Sequence, residues 1–281
     1  MHPKIYSVKD HQISPRKIDR HAFYVIHKLR EKGFLAYLVG GSVRDLLLNK
    51  RPKDFDISTS AKPEEIKEIF KKKCILIGKR FRLAHIRFGS KILEVSTFRA
   101  GDPEENSLIQ EDNVWGSAEE DALRRDFTIN GLFYDPETEN IIDYVNGFED
   151  AKKHLLRAIG NPRLRFIQDP VRMIRLLKFK ARFDFNFDKE TIEALYDCKG
   201  EINKSSSARI LEELFRMLES GSSEYFFQLL EIYGFLEIFF PLLSKHIKTN
   251  KKTWDFLKEI DIVSLKNHPK FLDRSILISA L

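Results

Sequence analysis

The chain has 281 residues, 42% of them hydrophobic and 32% charged, with a formal net charge of +6. This describes a globular polypeptide long enough for two domains. No apolar run reaches membrane-span length, the start Met1–Tyr6 lacks a signal-peptide core, and two distant cysteines, Cys74 and Cys198, exclude a disulfide framework or zinc site, so a cytoplasmic protein is expected. The positive balance leans toward a polyanionic partner, although a merely solvated surface reaches the same value. Arg163, Arg165, Arg172, Arg175 and Arg182 are more telling, because they flank one helix start.

Residues 1–20 are polar and are expected to form a poorly ordered arm. His21–Lys32 has helical periodicity and stops at Gly33, a residue suited to a left-handed helix end. Short β segments are predicted at 36–39, 54–58, 74–77, 84–88, 92–98, 131–134 and 140–143, with helices and turns between them. The acidic, polar stretch 101–113 reads as a mobile loop. After Asn146-Gly147 the β signals stop and helical periodicity continues to the end. The organisation predicted is an arm (1–20), an α/β catalytic head (21–150) and an all-α region (151–281), an α+β chain overall. The final segment, Phe271–Leu281, is apolar and has no helix-stop signal, which suggests a fragment of a longer protein.

Two motifs in this framework carry chemistry. Leu38-Val-Gly-Gly-Ser42-Val-Arg44-Asp45 places Gly40 and Gly41 between a strand and a helix, a turn able to offer backbone N–H groups to a polyphosphate. Asp54-Phe-Asp56 follows, and alternation along a strand puts both carboxylates on one face with Phe55 and Ile57 opposite. Paired carboxylates beside a phosphate cradle suit Mg²⁺ bridging a nucleotide and an attacking hydroxyl. Gly-Gly is also an ordinary turn, and Asp-x-Asp arises by chance. On these features alone, nucleotidyl transfer and a structural turn stand level.

Further candidates keep two readings each. Glu94, in the β-rich run Lys91–Phe98, is either a third carboxylate beside Asp54 and Asp56 or an exposed strand residue. Glu119–Asn130 contains Arg124, Arg125, Asp126 and Asn130, which read as a helix end with an i,i+4 pair Glu120–Arg124, or as contacts to phosphate and ribose. Asp169-Pro170 is an ordinary helix start. Asp169 also accepts hydrogen bonds where Arg172, three residues on, donates them. That pair matches the Watson–Crick edge of adenine or cytosine and inverts that of guanine or uracil.

These motifs, with Gln168-Asp-Pro-Val-Arg172 and Ser207-Ala-Arg-Ile-Leu-Glu-Glu213, stand in the order and spacing of a known family. The chain resembles the class II tRNA nucleotidyltransferase/poly(A) polymerase family over roughly residues 36–245. The resemblance implies a polymerase-β-like head, a mixed sheet with helices, followed by a helical neck and part of a body. It implies two Mg²⁺ ions on Asp54 and Asp56, with Glu94 and Asp126 in the catalytic group. It implies ATP as substrate, its triphosphate held by Gly40, Gly41, Ser42 and Arg44. Arg124, Arg125, Asp126 and Asn130 would check the sugar and phosphates. Asp169 and Arg172 would read the base, with Arg175 nearby and Arg209 bracing the reading helix.

The implied reaction is template-independent transfer of AMP to an RNA 3′-hydroxyl with release of pyrophosphate. The segment Leu76–Ile86 is similar to the signature of the poly(A) polymerase branch, with Lys79 where Arg is usual. Ala208, in place of a frequent Glu, agrees with that branch, whereas Gln168 replaces a usual Glu. The alternatives are a CCA-adding enzyme acting on tRNA, and a truncated RNA-binding remnant without catalysis.

Overall fold

The computed structural model describes residues 2–78, 83–100, 114–249, 252–266 and Arg274. The chain divides into two compact units, Met1–Asn161 and Pro162–Leu281.

The first unit is built on strands β1 (Lys4–Tyr6), β2 (Ala36–Val39), β3 (Asp56–Thr59), β4 (Cys74–Ile77), β5 (Leu83–Phe88), β6 (Lys91–Thr97), β7 (Leu132–Asp135) and β8 (Asn140–Asp143). They form one mixed sheet in the order β1-β8-β7-β2-β3-β6-β5-β4. Only β3 and β6 are parallel; the other pairs run antiparallel. The helices are α1 (Val8–His11), α2 (Arg20–Arg30), α3 (Gly41–Leu47), α4 (Pro63–Phe70), α5 (Ala118–Leu123) and α6 (Gly147–Lys152).

Alternation decides which way each strand faces. Leu38, Ile57, Ala84, Ile86, Leu93 and Val95 enter the main core with Val25, Ile26 and Leu29 of α2 and Ile66 and Phe70 of α4. Asp19 caps α2 by accepting the His21 N–H at 2.8 Å, and Gly33, at φ +84°, follows its end.

Two expectations are corrected. Residues 1–20 are not a loose arm: β1 pairs with β8 from Lys4↔Asp143 to Tyr6↔Ile141, and Ile13 and Ile18 are buried in the core. Their order comes from a distant sheet edge that no local pattern reveals. In addition, β3 begins at Asp56, so Asp54 precedes the strand. Asp54, Phe55, Asp56 and Ile57 nevertheless alternate between exposed and buried, which leaves both carboxylates open to solvent.

Among the described residues, the second unit is helical apart from turns and the two-residue strand Asn186–Phe187. It comprises α7 (Pro162–Gln168), α8 (Val171–Phe183), α9 (Lys189–Cys198), α10 (Ser207–Leu218), α11 (Ser223–Ile232), α12 (Phe235–Phe239), α13 (Pro241–Thr249) and α14 (Lys252–Lys266). Met173, Ile174 and Leu177, Leu214 and Met217, and Phe226, Phe227 and Leu230 are buried on their respective helices. Asp261 of α14 satisfies the start of α11, taking the Ser223 and Glu224 N–H groups at 2.7 and 2.9 Å. Among the described residues no helix is long and apolar enough to cross a membrane. The loop 101–113, residues 79–82 of the branch signature and all of Phe271–Leu281 except Arg274 lie outside the described residues.

Candidate active site

The turn after β2 depends on Gly40, whose φ of +65° and ψ of −127° strain any L side chain. A Cβ there would also lie 3.0 Å from Nη1 of Arg125. The Gly40 N–H donates to the Leu132 carbonyl, and the buried Ser42 hydroxyl donates to the Val39 carbonyl at 2.9 Å. Ser42, expected on phosphate, therefore spends its hydroxyl proton on fastening the turn.

Arg44, also expected on the triphosphate, is buried and committed to protein partners. Its Nε and Nη2 donate to Asp45 Oδ1 at 2.9 and 2.8 Å, and its Nη1 donates to Asn130 Oδ1 at 2.6 Å. Asn130 Nδ2 in turn donates to Asp126 Oδ1 at 2.9 Å, and the same oxygen accepts the Phe127 N–H. One hydrogen-bonded run thus ties the glycine turn to the Arg124–Asn130 segment. Arg44, Asn130 and Asp126 hold the local geometry rather than presenting bare ligating groups.

The parallel register Ile57↔Val95 sets Glu94 alongside Asp56. Burial among surrounding protein, then the Glu94 and Asp54 carboxylates, push the Asp56 carboxyl up to about 6, against the opposing pull of Arg125. The side chain still meets solvent, so the group is recessed but reachable. Glu94 is exposed and lies 3.5 Å from Nε2 of His85. Among the described residues no three His, Cys, Asp or Glu side chains converge as a metal site. Glu94 is a charged neighbour of Asp56 in this arrangement. Asp54 and Asp56 still fit Mg²⁺, which takes hard oxygen donors from one or two carboxylates and completes its shell with substrate phosphate and water. The mutual repulsion at Asp56 is what a dication relieves.

The expected Glu120–Arg124 pair does not form. Glu120 folds back to cap α5, accepting the Ser117 N–H at 2.7 Å. Arg124 instead donates through Nε to Asp121 Oδ1 at 2.9 Å, and Arg125 through Nη2 to Asp121 Oδ2 at 2.8 Å. Asp121 is fully buried, which alone would raise its pKa, yet the two guanidinium groups hold it below the usual carboxylate range. Arg125 also reaches Ser58 Oγ at 3.3 Å and lies over the Phe133 ring. Sequence reasoning missed Asp121. The signal was its i+3 and i+4 spacing to the two arginines, outcompeted by the equally spaced Glu120.

In the helical unit, Asp169 does not cap α8. The N-cap is Pro170, and the Asp169 side chain turns to Arg209, accepting from Nη2 at 2.9 Å, with Arg172 Nε 3.9 Å from the same oxygen. Its other oxygen, Oδ1, is buried with no hydrogen-bond partner among the described residues. A buried orphan acceptor is costly unless a ligand satisfies it. Arg175, expected near the nucleotide, donates to Glu213 Oε1 at 2.7 Å, and Lys178 pairs with the other Glu213 oxygen.

Burial would raise the Glu213 pKa, but Lys178 and Arg175 bring it down to about 2. A depressed folded-state pKa contributes stability above the ordinary glutamate value, and that stability is lost as pH falls toward 2. The shift corresponds to on the order of 3 kcal/mol. Acid unfolding followed by circular dichroism should therefore show a shallower decline between pH 5 and 2 for Glu213→Gln than for the wild type. Parallel acid limbs would show that the triad is not linked to folding.

Comparison with known proteins agrees with this fold. Residues 36–157 match the family model "Poly A polymerase head domain", and 184–247 match "Probable RNA and SrmB- binding site of polymerase A". Poly(A) polymerase I of Haemophilus influenzae is 43% identical over 244 residues, 83% of this chain and 54% of that protein. The CCA-adding enzyme of Lactobacillus helveticus is 40% identical over 215 residues, 74% of this chain and 52% of that protein. The chain thus spans about half the length of these relatives. The crystal structure of the Bacillus stearothermophilus CCA-adding enzyme in complex with CTP superposes with a TM-score of 0.73 at 28% identity, over 92% of this chain and 67% of that one. With both family models in chain order and the mixed-sheet head in place, the chain belongs to the polymerase-β-like nucleotidyltransferases, in the family of poly(A) polymerases and CCA-adding enzymes.

Proposed function

We propose that the chain catalyses template-independent transfer of a nucleotide from an NTP to an RNA 3′-hydroxyl, with release of pyrophosphate. The observation that carries this reading is Asp56, recessed yet open, crowded by Asp54 and Glu94 and adjoining the run that Arg125 and the Gly40 turn organise. Asp54 and Asp56 would hold Mg²⁺, which lowers the pKa of the primer hydroxyl and offsets charge on the leaving pyrophosphate. The residues of the chain itself supply position and charge. Gly40 and Gly41 give phosphate access to the backbone. Arg124 and Arg125, oriented by Asp121, meet phosphate or ribose. The Arg44–Asn130–Asp126 run keeps the floor of the site rigid.

Base choice falls to Asp169 and Arg172. The unsatisfied Asp169 Oδ1 suits an exocyclic amino group and Arg172 a ring nitrogen, the pattern of adenine and cytosine. Arg172→Ala should relax discrimination against UTP and GTP by about 1–3 kcal/mol, measured as the ratio of kcat/KM values. A lower rate with unchanged selectivity would make Arg172 structural.

For the product, we propose addition of AMP residues, poly(A) synthesis, supported by the Leu76–Ile86 segment, Ala208 and the Haemophilus relative. CCA addition to tRNA is the second reading, and the likenesses of fold lend it the greater weight, the CTP complex above all. Primer extension separates them. Poly(A) synthesis gives a ladder of no fixed length from ATP on a generic RNA. CCA addition gives one discrete product on tRNA lacking its end, and requires CTP before ATP. No Mg²⁺-dependent incorporation on either RNA would leave the non-catalytic remnant.

A further inference from the structure

We propose that Tyr196, Tyr225 and Tyr233, with Lys180 and Lys199, form a stacking platform for single-stranded RNA on the helical unit. The inference rests on the reading of the chain as an RNA 3′-end nucleotidyltransferase and identifies a place, apart from the nucleotide-handling residues, where that RNA is gripped.

Tyr196, on the outer side of α9, is 58% exposed, and Ile232, at the end of α11, is 67% exposed. Between them Tyr233 is half-buried, its ring centroid 5.6 Å from that of Tyr196 at an interplanar angle of 46°. Phe187 supports Tyr233 from beneath, edge-on at 5.9 Å. Exposed aromatic and aliphatic surface is thus clustered on α9 and at the end of α11.

Cations are interleaved with the rings. Lys199 Nζ lies 2.8 Å from where a Cβ of Gly234, the residue after Tyr233, would sit. Lys180 is close enough to Tyr233 to oppose the upward pull of burial on its hydroxyl. Lys180 Nζ and the Tyr225 hydroxyl share the exposed Asp184 carboxylate, at 2.8 and 3.5 Å. The carboxylates around the strip do not repel phosphate freely. Glu193 lies beside Lys189, Asp197 beside Arg163, and Glu201 beside Lys204. Alternating aromatic faces and lysines are what a sequence-tolerant single-strand site uses, bases on rings and phosphates on cations. All three tyrosines fall within the segment 184–247 that matches an RNA-binding family model.

The test is fluorescence anisotropy of a labelled twelve-nucleotide oligo(A) RNA with the 281-residue chain. Tyr196→Ala should weaken binding about 5- to 150-fold, the usual worth of one stacked base, while Tyr196→Phe stays within about twofold. Lys199→Ala should lower the slope of log affinity against log salt by about 0.7. Because Tyr196 is exposed, an unchanged melting temperature is expected and separates lost binding from lost folding. In extension assays the primer KM should rise in step while the KM for ATP holds. Tyr196→Ala with wild-type affinity, or no binding of oligo(A) by the wild type, overturns the platform. So does a change of oligomeric state in Tyr196→Ala, which would assign the patch to a second copy of the chain. If the wild type binds oligo(A) yet extends neither it nor tRNA lacking its CCA end, the catalytic reading falls and the platform stands. If Tyr196→Ala binds and extends RNA normally, the platform falls alone.

Discussion

Replacing Asp56 by Asn should abolish nucleotide addition without harming the fold, and the same should hold for Asp54→Asn. Each substitution removes a charged oxygen expected to hold Mg²⁺, a loss of several kcal/mol of transition-state stabilisation and so of about 10²-fold or more in kcat. The structure adds a sign to the stability effect. Burial and two neighbouring carboxylates disfavour the charged form of Asp56, so a neutral amide there relieves a penalty. The melting temperature of Asp56→Asn, measured without metal above pH 6, should equal or exceed that of the wild type. Adding Mg²⁺ should raise the wild-type melting temperature and leave the variant unmoved, since a ligand stabilises only a state that binds it. Extension by Asp56→Asn at near wild-type rate would move the metal site elsewhere.

The second large effect is expected at Asp121. Asp121→Ala removes the fully buried carboxylate that neutralises Arg124 and Arg125. Breaking a buried pair from one side costs about 3–5 kcal/mol, because the charges left behind are poorly solvated. For a unit of this size that is a fall of about 6–20 °C in melting temperature. Addition should also slow in whatever protein still folds, since Arg125 would lose its orientation beside Ser58 and Asp56. A change of less than a degree would show that Ser58, Phe133 and other neighbours suffice to hold the arginines.

The difference between Asp56 and Asp121 marks what a linear reading reaches. Motifs whose parts are close in sequence were legible. Val39-Gly40-Gly41 reads as strand–turn–helix because only glycine tolerates the required backbone. The buried–exposed alternation from Asp54 to Ile57 survives even though the strand starts two residues late. The switch from β to helical periodicity past Asn146 is likewise local, although the short strands Leu155–Leu156 and Asn186–Phe187, not predicted, follow it. Ordering of residues 1–20 was not legible, because β1 exists only through the edge of β8, more than 130 residues away.

Side-chain partners were the least legible level. Glu120 and Asp121 carry the same charge one residue apart, and local spacing allows either to take an arginine. The Ser117 cap claims Glu120, and burial of Asp121 makes it the anchor. The same holds for Asp169, a ready helix cap by sequence, which Arg209, forty residues on, turns away from the helix start, leaving one oxygen unsatisfied. By itself the sequence determined the candidate site residues, the main order of elements after residue 20 and the family, because these depend on composition, periodicity and short spacing. Which carboxylates stay open to solvent and which serve the protein was decided only by the tertiary structure. That choice turns on desolvation and on partners brought together across long stretches of chain, and neither is a property of any local segment.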